Sequence, residues 1–442
     1  MSITNRSEPL VLFLGDILAF LVALYMMLIV RYGGFPQGEI FYAHLAPFAI
    51  LFVIWAGVFF IAGLYEKHTL ILKSKLSSII LNAQVSNSIL AVLFFYFIPY
   101  FGITPKINLF IYLFFSFCFL YLWRMYGTEA LGIRKRQRAI LIGSGDEMKE
   151  LRDEVNNNNR YHLSFLSSVD LDDVDALDVQ EELIGRIYAE GITSIVVDLK
   201  HEKIGMLLPH LYNLIFSKIR FIDKYKVYED IFDRVPLSLV QYNWFLENIS
   251  LSPKMTYDTL KRIMDIGLSI VLLVCSLPLY PLVFLALRFE GKGSIFCRQT
   301  RLGKNNAHIS LIKFRSMTTC DGSGEVTRVG SFLRKTRIDE LPQLWNVLKG
   351  DLSLIGPRPE LPDLARIYEK EVPYYHVRHL LKPGLSGWAQ IYHEHHPHHR
   401  PDVTETKVKL SYDLYYIKNR SFLLDIKIAL RTLQILLSRK GL

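Results

Sequence analysis

Cysteine is scarce in this 442-residue chain: Cys118, Cys275, Cys297 and Cys320 stand far apart, with no CxxC pair among them. That spacing predicts neither a disulfide framework nor a structural zinc site, and makes a reducing compartment the default expectation. Charged residues are also few, at 21%, against 51% hydrophobic and 13% aromatic residues, with a mean hydropathy of +0.22. Such a balance excludes an ordinary soluble chain and points to a membrane protein. There is no GxxxxGK[ST] loop, which excludes a P-loop NTPase. The first apolar run is too long for a signal-peptide core and lacks a clear small-residue cleavage site, so it is expected to be retained. Lys and Arg (51) exceed Asp and Glu (42) for a formal charge of +9, which suits an anionic membrane surface or phosphate-bearing substrates as well as nucleic acid.

What the chain does have falls into three parts, 1–130, 131–250 and 251–442. In the first, four apolar stretches (Leu10 to Val30, Ala43 to Leu64, Ile79 to Phe101 and Leu109 to Trp123) lie near the ~20 residues a helix needs to cross hydrocarbon. Lys67, Lys73 and Lys75 follow the second stretch, and Arg124, Arg134, Lys135, Arg136 and Arg138 follow the fourth. The opposite loops hold only Arg31 and Lys106. The positive-inside rule therefore places both ends of this bundle in the cytoplasm. Asp16 is the one acid in the first stretch, and helix packing or a place near the interface is its expected role, with function as the alternative.

The middle part reads as an α/β domain of Rossmann-like type. Ala139 to Ile142 suggests a strand, Gly143-Ser-Gly145 a tight turn and Glu147 to Val155 a helix; Ile195 to Asp198 and Ile219 to Ile222 suggest further buried strands. Met148 stands where a dinucleotide fingerprint has its third small residue, and no well-placed acid closes the unit, so a fold remnant with a structural, regulatory or dimerising role is favoured over nucleotide binding. A homodimer through this domain is one expectation.

The third part opens with Ile263 to Leu287, apolar enough to span, but with Pro278 and Pro281 in its middle. Each proline removes a backbone donor and clashes with the preceding turn, so a straight helix is not expected. A bend at Pro278 would return the chain to its starting face as a re-entrant hairpin, while a kinked fifth span is the alternative. Near the C-terminus, Ser421 to Lys440 repeats Phe422, Leu423, Ile426, Leu430, Leu433 and Leu437 at helical spacing; such a helix can pack on a core or lie in the membrane interface, and the interface is favoured.

Chemistry concentrates between these two segments. Lys313 and Arg315 follow a strand-like run at i and i+2 and are expected to share a side. Asp339 and Glu340 precede Pro342, which marks a helix start, so the positive helix end and Arg334 or Arg337 are expected to lower both carboxyl pKa values. Arg358 stands between Pro357 and Pro359, which fix its backbone, and Arg378 and Lys382 come close to a glycine turn at Gly384. Cations gathered around one acid pair suit a polyanion with Mg²⁺, a metal that takes oxygen ligands. A favourably charged helix start is the plain alternative.

The segments Lys313-Phe-Arg-Ser-Met317, Asp339 to Asp351, Gly356 to Glu360, Lys382 to Gln390 and Asp413 to Asn419 occur together and in order. Residues 254–442 thereby resemble the catalytic domain of the bacterial sugar transferases, the monotopic polyprenyl-phosphate phosphoglycosyl transferases, and the whole chain resembles their long membrane-anchored members. The resemblance implies a mixed α/β domain in which 263–287 is a re-entrant membrane helix bent at Pro278, with catalysis on the cytoplasmic face of the bacterial inner membrane. It implies transfer of a sugar phosphate from a UDP-sugar to polyprenyl phosphate, with no nucleic-acid partner. Asp339 would be nucleophile and Mg²⁺ ligand, Glu340 its catalytic partner, and Lys313, Arg315, Arg334, Gln343, Arg358 and Lys382 would bind substrate phosphates. Two departures stand out. Leu277 rather than serine precedes Pro278, and five histidines from His393 to His399 replace the family's usual Asn and Gly-Arg; a polar loop is favoured there over a metal site. A membrane scaffold would not need Asp339-Glu340 and Gly-Pro-Arg-Pro together. An NAD-dependent nucleotide-sugar dehydratase would need more than the roughly 110 residues of the middle part.

Overall fold

The computed structural model describes residues 7–65, 73–98, 105–127, 136–158, 161, 163–172, 185, 187, 189–214, 219–249, 255–291, 293–320, 324–392 and 402–438. The His393–His399 segment, Lys67, Arg134 and Lys135 lie outside them. The chain divides into two compact units, Met1–Ile231 and Phe232–Leu442.

Four helices open the first unit: α1 (Ser7–Tyr32), α2 (Gly38–Ile61), α3 (Lys73–Phe97) and α4 (Pro105–Leu122). The first three each include a stretch long and apolar enough to cross a membrane, and the fourth does so together with the helical turn that continues it to Gly127. Lipid tails are as apolar as leucine, so close packing has to hold such helices together. Here it is aromatic: Phe20, Phe48, Trp55 and Tyr112 interlock, with the Trp55 and Tyr112 rings 5.1 Å apart and the Trp55 indole donating to the Asn87 carbonyl at 3.0 Å. Asp16 has the packing role expected of it. Its carboxylate is fully buried and receives both arms of Arg124, with Nε at 3.0 Å from Oδ1, so Arg124 neutralises an internal acid.

The rest of that unit is a mixed α/β domain around a parallel sheet of order β2-β1-β3-β4, made of β1 (Gln137–Gly143), β2 (Leu163–Asp170), β3 (Ser194–Val197) and β4 (Arg220–Asp223). Helices α5 (Asp146–Asn157) and α6 (Ile204–Leu214) contribute Leu151 and Leu207, both buried. Strand β2 escapes the sequence reading because it is an edge strand. Its serines leave it half-solvated, without the continuous apolar run of a buried parallel strand.

Lys224, the first residue of α7 (Lys224–Phe232), lies over the strand ends. Its ammonium is 2.7 Å from Asp198 Oδ2 and 3.4 Å from the Ser144 carbonyl, and both partners of the pair are buried. Gly143 permits this approach: a Cβ there would sit 3.1 Å from Lys224 Cδ. Met148, in the third-glycine place, is also buried against this turn.

In the second unit, residues that the sequence reading assigns to the middle part pack on the catalytic part instead. Val235, Val240 and Trp244, the last on α8 (Tyr242–Asn248), share a core with Tyr368, Tyr375, Leu410 and Leu414. The apolar hairpin follows as α9 (Met255–Ser276) and α10 (Leu279–Glu290), which meet at 58°. Pro278 stands at the break with φ −62°, and the hydroxyl of Ser276, not of residue 277, donates to the Leu273 carbonyl at 2.9 Å.

Both ends of the hairpin are tied to the same globular core. At one end Lys261 pairs with Asp425 at 2.9 Å, Arg262 donates to the Val347 and Leu348 carbonyls at 2.7 Å each, and buried Asp265 accepts from the Leu354 amide at 3.1 Å. At the other end Glu290 accepts from the Val329 amide at 2.7 Å. Between them Leu268, Val271, Leu272, Leu277, Leu282 and Phe284 are exposed.

An antiparallel hairpin, β5 (Phe296–Leu302) with β6 (His308–Phe314), sets Cys297 opposite Lys313. It also corrects the cysteine reading: Cys297 is disulfide-bonded to Cys320, with Cα atoms 5.2 Å apart. The partners are 23 residues apart in sequence, so the turn back through β6, and no short motif, brings them together.

The remaining elements are α11 (Arg328–Lys335), a 3₁₀ turn (Ile338–Gln343), α12 (Leu344–Lys349), β7 (Ser353–Ile355) paired in parallel with β8 (Gly384–Ser386), α13 (Pro362–Glu371), a second 3₁₀ turn (Tyr375–Leu380), α14 (Trp388–Tyr392), α15 (Val403–Asn419) and α16 (Phe422–Ser438). Helix α16 buries Asp425 and Ile428 and exposes Leu423, Leu433 and Leu436.

Candidate active site

Helix α11 ends at Thr336, and Arg337 then turns the chain in the left-handed region, with φ 56° and ψ 15°. A non-glycine residue pays about 1 kcal/mol for that conformation, which persists where surrounding structure imposes it. The next residues form the 3₁₀ turn that carries Asp339 and Glu340. The acids thus lie one turn ahead of α12 and not on an α-helix start. Asn346 on α12 fastens this turn to the hairpin: its amide donates to the Ser310 carbonyl at 2.7 Å and accepts from the Ile312 amide at 3.1 Å. Lys313 follows directly on that strand.

Glu340 is the electrostatic centre. Its Oε1 lies 3.8 Å from Lys313 Nζ, 3.8 Å from Arg337 Nη1 and 3.5 Å from Arg358 Nη2. Burial opposes its ionisation, but Arg358, Lys313, Arg337 and Arg301 outweigh burial and hold the carboxyl down at about 2. Asp339 behaves oppositely, which corrects the expectation that both acids are lowered. Burial and then the neighbouring Glu340 charge push it up to about 6, against Lys313, Arg337 and Arg334. Its Oδ1 is buried and has no hydrogen-bond partner among the described residues. Lys313 is itself lowered, by burial above all.

The other expected residues scatter. Arg358 is beside the pair, and Arg334 acts on Asp339 through space from the last turn of α11. Gln343 is buried at the end of the 3₁₀ turn. Arg315 is sent elsewhere: β6 ends at Phe314, and the guanidinium donates to the Leu287 and Gly291 carbonyls at 2.9 and 3.2 Å, capping α10. Lys382 is exposed beside Gly350 and Arg262 and makes no ion pair with the acids among the described residues. Arg378 is buried against Asp413 at 2.9 Å. Two participants escape sequence reasoning, Arg301 and Glu360, whose Nη1 and Oε1 are 3.6 Å apart. The signal for Glu360 is its place in Gly-Pro-Arg-Pro-Glu; Arg301 has only its position on β5.

Two glycines let the loop carrying Arg358 reach the site. A Cβ on Gly384 would sit 2.1 Å from the Gly356 nitrogen, and one on Gly387 2.3 Å from the Gly356 oxygen, so only glycines let β7 and β8 close together there.

A partly exposed fan of cations on one half-buried carboxylate, with a second, buried carboxylate raised in pKa beside it, is an arrangement that suits phosphate esters, in a chain that carries four membrane-length apolar helices. The comparisons agree with that class. The bacterial sugar transferase family matches residues 256–439. The chain is 41% identical over 202 residues to a UDP-N-acetylgalactosamine-undecaprenyl-phosphate N-acetylgalactosaminephosphotransferase of Aeromonas hydrophila, covering 43% of this chain and 47% of that protein. It is 39% identical over 187 residues to an exopolysaccharide production protein of Rhizobium leguminosarum bv. phaseoli, covering 39% of this chain and 92% of that protein. It is 30% identical over 364 residues to an undecaprenyl-phosphate glucose phosphotransferase of Komagataeibacter xylinus, covering 76% of this chain and 66% of that protein. The chain belongs to the bacterial sugar transferase family, and it spans about half the length of the Aeromonas relative.

Proposed function

We propose that the protein transfers a sugar 1-phosphate from a UDP-sugar to polyprenyl (undecaprenyl) phosphate, releasing UMP and forming polyprenyl-diphosphate-sugar in surface polysaccharide synthesis. The observation that carries this reading is Asp339, a buried carboxylate with an unpartnered oxygen and a raised pKa next to a cation cluster. At neutral pH it is ionised, yet more basic than an ordinary aspartate, which suits a nucleophile. Asp339 attacks the sugar-bearing phosphorus; the bond to the UMP oxygen breaks and UMP leaves. The polyprenyl phosphate oxygen then attacks the same phosphorus and the aspartyl bond breaks, which regenerates the carboxylate.

Lys313, Arg337 and Arg358 are pre-aimed by Glu340 and neutralise charge as it develops on phosphate oxygens. Glu340, held near 2, is a weak base, and polyprenyl phosphate needs little help: a phosphate monoester has its second pKa near ~6 and is mostly dianionic at neutral pH. Among the described residues no three His, Cys, Asp or Glu side chains gather around one point. A bare pair of carboxylates fits Mg²⁺, which commonly takes one or two carboxylates and completes its shell with substrate phosphates. Asp339, with Glu340 beside it, would hold the ion. When bound it would supply charge neutralisation at the phosphates.

The chain is proposed to have three parts: a four-helix membrane domain, a Rossmann-like domain ending near residue 231, and the catalytic domain. Hairpin α9–α10 is read as re-entrant. Its two ends are anchored to one core, so a span would have to pull one set of anchors through the bilayer. That reading, with the cytoplasmic location of nucleotide sugars, puts catalysis on the inner face of the bacterial inner membrane. The buried Lys224–Asp198 pair over the strand ends, where nucleotides bind in such sheets, supports a structural role for the middle domain.

Purified protein with Mg²⁺, undecaprenyl phosphate and a panel including UDP-N-acetylgalactosamine and UDP-glucose is expected to release UMP from a preferred donor. Asp339→Asn is expected to lower release by more than about 10³-fold, as loss of a covalent nucleophile does. Intact mass after donor addition without acceptor should rise by one sugar phosphate in the wild type only. Normal turnover by Asp339→Asn would remove the mechanism.

A further inference from the structure

The Gly356–Glu360 loop is fastened at its ends by backbone bonds, from Gly356 to the Ser386 carbonyl, from Gly384 to the Pro357 carbonyl and from Leu302 to the Glu360 carbonyl, but Pro357 and Pro359 have no N–H to give, and its middle depends on side chains. Two buried or half-buried arginines that do not contact the acid pair grip it from either flank. Arg378, in the second 3₁₀ turn, donates from Nη2 to the Arg358 carbonyl at 3.1 Å, and its Nη1 lies 3.8 Å from Glu360 Oε2. It is held there by Asp413 of α15 at 2.9 Å and by the Tyr375 hydroxyl at 2.5 Å. Arg301, on β5, donates to the Pro359 carbonyl at 3.4 Å and lies 3.6 Å from Glu360 Oε1. Each oxygen of Glu360 thus faces one arginine, and each carbonyl flanking the Arg358–Pro359 bond accepts from one.

A buried arginine–carboxylate pair adds little to stability over apolar residues of the same volume, so such a cluster does not explain itself as core. What it fixes is the backbone of the residue whose guanidinium stands 3.5 Å from Glu340. We infer that Arg301 and Arg378 are positioning residues: together they clamp the Gly356–Glu360 loop through its carbonyls and Glu360, so that Arg358 is already aimed into the site before substrate arrives. The consequence for turnover rests on the transferase reading; the clamp itself concerns loop order.

The test uses the full chain in detergent carrying Arg378→Gln with Asp413→Asn, which removes the Arg378 half of the clamp without stranding the buried Asp413 carboxylate, and Arg378→Lys as the conservative change. Hydrogen exchange read by mass spectrometry should accelerate about 10-fold or more in a peptide covering 356–361, and less in Arg378→Lys. UMP release should show kcat down about 10- to 100-fold with KM within about threefold, the signature of a misaimed group and not a lost substrate contact. In an Arg358→Ala background the same double change should lower kcat less than about twofold, since nothing is left to aim. Unchanged exchange in a folded variant, or losses that multiply in full on Arg358→Ala, would overturn the clamp. If the wild type releases no UMP, the transferase reading fails while the exchange experiment still decides the clamp.

Discussion

Two cation–carboxylate arrangements in this protein, one buried and one partly exposed, make an instructive pair. Over the ends of the parallel sheet, Lys224 meets Asp198 at 2.7 Å, one cation to one acid. In the catalytic unit, Glu340 is shared by Lys313, Arg337 and Arg358 at 3.5 to 3.8 Å, while Asp339 keeps an oxygen without a partner. The first has satisfied itself and has nothing left to offer a ligand. The second holds more positive charge than its ionised acid needs, at distances a phosphate oxygen can shorten, beside a carboxylate that burial makes reluctant to ionise. A site is recognisable by this imbalance more than by the residue types, which are nearly the same in both places.

The sharpest way to break the comparison is to remove one partner from each. Lys224→Met strands a buried Asp198 charge and is expected to destabilise its unit by about 3–5 kcal/mol, with turnover per folded molecule unchanged. Thermal unfolding followed by fluorescence, alongside UMP release, checks both halves; a large activity loss in folded Lys224→Met would give the crevice a catalytic role. Asp339→Asn should do the reverse. Its folded pKa of about 6 lies above the unfolded value of 3.8, so the folded state binds the proton more tightly and loses stability as pH rises through that window. Relieving this strain should stabilise the ligand-free protein by about 1–3 kcal/mol at pH 7, while abolishing turnover. Lower stability of the Asn variant at pH 7 would mean Asp339 is not strained.

A pH profile sharpens the contrast within the pair. With Asp339 as nucleophile, kcat/KM should fall about tenfold per unit below about pH 6, with no second acid limb from Glu340, which titrates near 2. A flat profile down to pH 5 would contradict the assignment. The smallest effect is expected at Lys382, which lies outside the Glu340 fan: Lys382→Ala should change kcat/KM by less than about threefold. A loss of a hundredfold would show that substrate reaches well beyond the fan.

Local sequence signals were readable where one element decides the outcome. Apolar run length located the membrane helices, and Pro278 located the bend. The continuous apolar runs at Ile140 and Ile195 located central strands, whereas serine-rich β2 carried no such run. Asp339, Glu340, Lys313 and Arg358 stood out as residues without a core explanation, and the fold does bring them together. The i, i+2 rule failed at Arg315 because it holds only while the strand lasts, and β6 stops one residue short.

By itself, then, the sequence determined the four apolar helices, the proline break and which charged residues lack a core explanation, because each depends on neighbours within a few residues. Only the tertiary structure decided how that chemistry is divided. It split the adjacent acids to about 6 and about 2, moved Arg378 from the site to the loop behind it, and joined Cys297 to Cys320. Desolvation and charge–charge distance are set by segments far apart in the chain, and no spacing along the chain encodes them.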